Sequence, residues 1–202
     1  MKHLNTPQEL FFSRQDPEDP RLGEFAGSDS NALATIWGYP DDEGVRLNGG
    51  RPGAALAPQA IRRALYRMTP ARNWPRQSLV NDEGDYLPEG TDLAARAAFL
   101  KNKACQHYQQ SGSFLVTLGG GHDYGFPDGA GFVEAFASDD VKPSLKPLVL
   151  NFDAHLDVRP LDRGLTSGTP FRRLLEDYKD KFDFFEIGIL PHCNSPFHWE
   201  WA

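Results

Sequence analysis

Residues 147–157 read PLVLNFDAHLD. The first six are an apolar run of strand length, and the polar cluster begins where that run stops. A buried strand therefore delivers Asp153, His155 and Asp157 to its own carboxyl end. Side chains two apart share one side of an extended segment, which places Asp153 beside His155, and Asp157 needs only a local turn to join them. The pattern occurs once more upstream. FLVTL at 114–118 runs into GGGHD at 119–123, where the glycines allow a sharp turn and His122 can face the same crevice.

Working outward, ALATIW at 32–37, stopped by Gly38, Tyr39 and Pro40, and FDFFEIGIL at 182–190 read as further buried strands. Between the strands lie helical patterns. One is opened by Pro58 and runs through Ile61, Leu65 and Met68. A second covers 91–110, with Thr91 as N-cap and Leu93, Ala97 and Leu100 on one face, and two more fall near 128–137 and 170–179. Buried strands alternating with helices predict an α/β fold of three layers, a mostly parallel sheet with helices on both faces. Residues 1–30 are polar and broken by Pro7, Pro17, Pro20, Gly23 and Gly27, so they read as an N-terminal arm with ordered structure starting near Asn31. Residues 31–202 then form the α/β domain.

Composition narrows the function. The 202 residues are 40% hydrophobic and 24% charged, ordinary globular values, and the net charge is -7. No basic run occurs, since Arg62-Arg63 and Arg172-Arg173 sit in helical stretches, so no nucleic-acid partner is expected. No apolar stretch of bilayer length and no signal-like N-terminus is found, so no membrane partner is expected. Cys105 and Cys193 lack CxxC spacing, which fits a reducing compartment and a cytoplasmic location. The expected partner is a small molecule.

In an open parallel sheet, ligands collect at the carboxyl ends of the strands, where both polar motifs fall. Several carboxylates sharing a pocket with two imidazoles repel one another unless a divalent cation joins them. Oxygen and imidazole donors without thiolates suit Mn2+ better than structural zinc. Taken singly, either motif could be a set of helix caps and turn formers. Their recurrence at successive strand ends favours a metal centre.

By GGGHD and DAHLD the chain resembles the ureohydrolases: arginase, agmatinase and formimidoylglutamase. The resemblance spans about Asn31 to Ala202. It implies two Mn2+ ions, the first held by His122, Asp153 and Asp157, the second by Asp153 and His155, with Asp153 bridging. Asp153 and His155 would serve the catalysis directly. GVRLNGGRPGA at 44–54 followed by APQAIRRAL, and DVRPLDRGLTSGTPFRRLL at 157–175, look most like the formimidoylglutamase branch. That branch implies water attacking the amidine carbon of N-formimino-L-glutamate to give glutamate and formamide, as a step of histidine degradation. Asn48, Arg51 and Arg159 are the candidates to hold substrate, arginine offering a planar fork to a carboxylate. Asp123 either orients His122 or stabilises the turn. Oligomers are common in the family, so a homo-oligomer is in keeping with it.

Two departures qualify the resemblance. The family's later Asp-x-Asp pair, which completes both metal sites, has no counterpart in these 202 residues. The expectation is a shortened product or a non-catalytic paralogue, nearly inactive alone and binding at most one metal weakly, unless His192 or Glu186 completes the site. Arginase and agmatinase also carry a histidine after DAHxD where this chain reads TSGTPF, with Ser167 at the corresponding place, which weighs against those two activities. A deacetylase-like hydrolase of similar architecture is the remaining alternative.

Overall fold

Parallel pairing prevails among the strands of the computed structural model, which describes residues 1–29, 31–73, 79–136 and 146–202. The chain divides into two units, one of residues 1–42, 53–90 and 110–120, the other of residues 43–52, 91–109 and 121–202. Among the described residues every strand pairing but one is parallel, as the sequence predicts.

The first unit contains β1 (Lys2–Leu4), β2 (Ala26–Gly27), β3 (Ala34–Gly38), β4 (Val80–Leu87), β5 (Phe114–Leu118) and the helix α2 (Ala57–Leu65). The sheet runs β1-β4-β3-β5, with β2 also paired to β4. Ile36, Leu79, Val80 and Leu118 form its apolar centre. The segment expected to be an arm without order contributes two strands: β1 lies antiparallel on β4, β2 lies parallel to it, and Leu10 is buried. Order therefore begins well before Asn31. Backbone pairing to a sheet edge needs no apolar run, which is why polar composition hid it.

The strand β4 was not legible in the sequence. It reads VNDEGDYL, yet Asp82 and Asp85 are buried. The α2 side chain Arg62, fully buried, donates from Nε to Asp82 at 2.9 Å and from Nη1 to Asp85 at 2.6 Å. Thr6 donates to Asp82 at 2.7 Å, and the Tyr66 hydroxyl donates to it as well. Buried charge is tolerable only with such pairing. The predicted extension of α2 to Met68 fails, because the helix ends at Leu65 and Met68 is exposed.

The second unit contains α1 (Glu43–Leu47), α3 (Leu93–Gln110), α4 (Gly125–Phe136), β6 (Leu148–Phe152), α5 (Pro170–Tyr178), β7 (Asp183–Ile187) and α6 (Pro196–Trp201). The strands β6 and β7 and helices α3, α4 and α5 lie close to their predicted ranges; residue 137, the last of one range, is outside the described residues. Val133, Val158, Leu174, Phe171 and Phe182 are buried in one cluster, with Val149 of β6 and Phe184 of β7 against it. Leu148, Leu150 and Phe152 alternate with these inner residues and are exposed.

Candidate metal centre

His122 opens the turn after β5, while Asp153 and Asp157 lie in the loop after β6. The loop turns at Asp157, whose φ of 48° is left-handed. Aspartate tolerates that region better than most residues. Asn194 clamps the same loop: its side-chain oxygen accepts the Leu156 N–H at 2.9 Å and its amide donates to the Ala154 carbonyl at 2.9 Å. Nothing in the sequence marked Asn194, since its partners are backbone atoms distant along the chain.

The structure brings His122, Asp153 and Asp157 together, one ligand atom from each lying within 4.8 Å of the others. His122 Nδ1 is 2.8 Å from Asp157 Oδ2 and 3.5 Å from Asp153 Oδ2. The other oxygen of Asp153 faces His155, accepting its N–H at 2.8 Å and lying 3.1 Å from its Nδ1. His155 is thus tied to the cluster through Asp153, with its ring largely exposed. The rings of His122 and Phe171 meet at 79° with centroids 5.5 Å apart, so a core residue packs against the imidazole.

Electrostatics describe a pocket rich in negative charge. The hydrogen bond to Asp157 is the main influence raising the His122 pKa, against the opposing effect of burial. Burial would raise the Asp153 pKa, but hydrogen bonds from His155 hold it below its usual value. Glu186 of β7, flagged in the sequence only as a reserve ligand, is close enough to interact with all three. Burial first, then the charges of Asp157 and Asp153, push its carboxyl up to about 7 despite a hydrogen bond from Asn151. His192, the other reserve, is exposed and outside the cluster.

The donor set passes the test for Mn2+. Two carboxylates and one imidazole, all half-buried and convergent, are hard and borderline donors of the kind this ion takes, and no thiolate is among them. His122, Asp153 and Asp157 are the residues that would hold an ion.

Asp123 is almost fully buried. A β-carbon on either Gly44 or Gly121 would fall inside the van der Waals shell of its carboxylate. Its role is thereby tied to packing of α1 on the turn that carries His122. A cavity of about 520 Å³ opens beside the loop 159–169, lined by Arg46, Asn48, Arg159, Arg163, Thr166 and His198 among others. Asn48 donates to the Ser167 hydroxyl at 3.1 Å. Of the three substrate-binding candidates, Asn48 and Arg159 meet at this cavity, whereas Arg51 is exposed and absent from its lining. The His198 pKa is lowered, by burial and then by Arg159 and Arg172, and Asp157 acts in the opposite sense.

The model of the Arginase family matches residues 32–202. The chain belongs to the arginase family. A formimidoylglutamase of Salmonella arizonae is 38% identical over 185 residues, 90% of this chain and 56% of that protein. One of Salmonella newport is 42% identical over 170 residues, covering 83% and 51%. Among solved structures, Trypanosoma cruzi formiminoglutamase with Mn2+ superposes with a TM-score of 0.75 at 33% identity, covering 91% of this chain and 62% of that one. Bacillus subtilis formimidoylglutamase, at 23% identity, gives a TM-score of 0.75 over 94% and 59% and so shows the fold alone. These likenesses place the chain in the α/β arginase-like class expected from its strands and helices. The chain spans about half the length of the curated relatives it matches.

Proposed function

We propose that this arginase-family site hydrolyses the C–N bond of a linear amidine bearing carboxylates, with N-formimino-L-glutamate as substrate and Mn2+ as cofactor. The observation that carries the reading is the pairing of the His122, Asp153 and Asp157 cluster with a cationic cavity on the same loop. A substrate with two carboxylates needs cations, and Arg46, Arg159 and Arg163 line that cavity. The names of the relatives point to the same substrate. Neither arginine nor agmatine carries two carboxylates.

In this reading Arg159 and its neighbours grip the glutamate portion, and Asn48 with Ser167 adds hydrogen bonds, which fixes the distance from cavity to cluster and orients the amidine carbon. Asp153 serves both imidazoles, one carboxylate oxygen towards each. Asp157, 2.8 Å from His122 Nδ1, and Phe171, packed against the ring, orient the imidazole. Bound Mn2+ would supply an activated water and electrostatic stabilisation of the charge that develops on the amidine. Free Cys105 and Cys193 accord with a cytoplasmic setting.

The test is a product assay of the Mn2+-loaded protein. Formamide released from N-formimino-L-glutamate, with arginine and agmatine turned over at least about tenfold more slowly, supports the reading. Equal or faster release of urea from arginine overturns the substrate assignment. Metal binding without turnover of any amidine would leave a non-catalytic relative as the better description.

A further inference from the structure

The strands β6 and β7 pair in register, Val149 with Phe184 and Asn151 with Glu186. Side chains alternate along a strand, so these four share the inner face, on which Val149 and Phe184 join the core. Asp153 follows directly after β6, and its N–H bonds back to the end of β7, 3.1 Å from the Ile187 carbonyl; Gly188, just past β7, has a φ of 91°. The face thus passes from an apolar layer, through the layer of Asn151 and Glu186, to the metal cluster.

In this middle layer Glu186 is not fully engaged. Its Oε2 accepts from the Asn151 amide at 2.9 Å, whereas Oε1 is buried and has no hydrogen-bond partner among the described residues. A buried carboxylate oxygen without a donor is costly. Core packing does not explain it, because glutamine or leucine would fill the same space without burying a charge. The charged groups that act on Glu186 are Asp157, Asp153 and His122. Its ligand atoms do not fall within the tight three-residue cluster. Its influence on a cation is therefore one layer removed.

Building on the metal-centre reading, we propose that Glu186 is a positioning residue for the divalent cation. Ionised when a cation occupies the cluster, its carboxylate strengthens cation binding, and its second oxygen receives a hydrogen bond from the cation's hydration shell. Asn151 holds the carboxylate in place. Carboxylates behind metal ligands commonly act in this way, and losing one costs about 10- to 100-fold in metal affinity.

The experiment compares Mn2+ binding, read by electron paramagnetic resonance of the unbound ion, for the wild-type chain, Glu186→Gln and Glu186→Asp. Thermal melting accompanies each variant. The glutamine variant keeps the shape and can still accept from Asn151, and its dissociation constant should rise about tenfold. The aspartate variant keeps the charge and should recover most of the wild-type affinity. Unchanged binding by Glu186→Gln overturns the proposal, as does an equal loss in both variants, which would assign Glu186 to packing. If the glutamine variant does not fold, a wild-type-like affinity for Glu186→Asp still supports the charge role, and a tenfold loss there contradicts it. Failure of the wild-type chain to bind Mn2+ would overturn the metal-centre reading itself, and the role of Glu186 with it.

Discussion

Gly44 and Asp123 approach so closely that no side chain can stand between them: a β-carbon on Gly44 would collide with both carboxylate oxygens of Asp123. The contact joins α1 to the turn that carries His122. The Gly44 carbonyl also accepts the Ser167 N–H at 3.0 Å, so one glycine links three loops of the site. Gly44→Ala should destabilise the protein by about 1–3 kcal/mol, the usual cost of overpacking a close contact. Thermal or urea unfolding measures this, and a variant as stable as wild type would show that α1 is free to shift.

The charge pairing of the first unit makes a larger prediction. Arg62→Ala leaves Asp82 and Asp85 buried without their main cation, and should cost about 3–5 kcal/mol. A variant folding within about 1 kcal/mol of wild type would mean that water replaces the guanidinium.

A pH effect separate from the metal cluster comes from Glu134. Burial opposes its ionisation, but hydrogen bonds from Lys101 at 2.6 Å and Tyr178 at 2.6 Å bring its pKa below the usual value. A folded-state pKa depressed below the unfolded one gives stability that is present above the unfolded value and is lost as pH falls through the folded value. The stability gap between wild type and Glu134→Gln should therefore be full at neutral pH and shrink below about pH 4. A gap constant from neutral to acid pH would contradict the assignment.

These residues also show what a sequence can and cannot reveal. The strands around DAHLD and GGGHD were legible because apolar runs end abruptly in polar clusters. Parallel pairing, of β3 with β5 and of β6 with β7, was legible because helices separate the strands. The strand β4 was not, since Asp82 and Asp85 interrupt its apolar pattern and their partner Arg62 lies in another element. At the site, His122, Asp153 and Asp157 could be named from position alone. Asn194, Phe171 and the lining residue His198 could not, because each acts through a tertiary contact that has no local spacing. Arg51 had the right chemistry and a glycine-rich neighbourhood, but only the fold shows which loop arginines reach a common cavity.

Arg159 and Arg51 accordingly separate in their expected effects. Arg159→Ala should raise KM for N-formimino-L-glutamate by about 10- to 100-fold, the loss of a charge-assisted hydrogen bond, with a smaller change in kcat. Arg51→Ala should leave KM within about twofold. Steady-state kinetics with both variants checks the pair. The reverse order would move the substrate carboxylates away from the cavity.

Metal titration followed by electron paramagnetic resonance tests most directly whether His122, Asp153 and Asp157 constitute a Mn2+ site. The wild-type chain should bind no more than about one Mn2+ with measurable affinity, because among the described residues a second position would draw on Asp153 and His155 alone. Asp153→Asn should weaken that binding beyond the roughly 100-fold expected for loss of an outer partner, while the protein remains folded. Manganese bound equally well by wild type and Asp153→Asn would contradict the account, as would a folded wild-type chain that binds none.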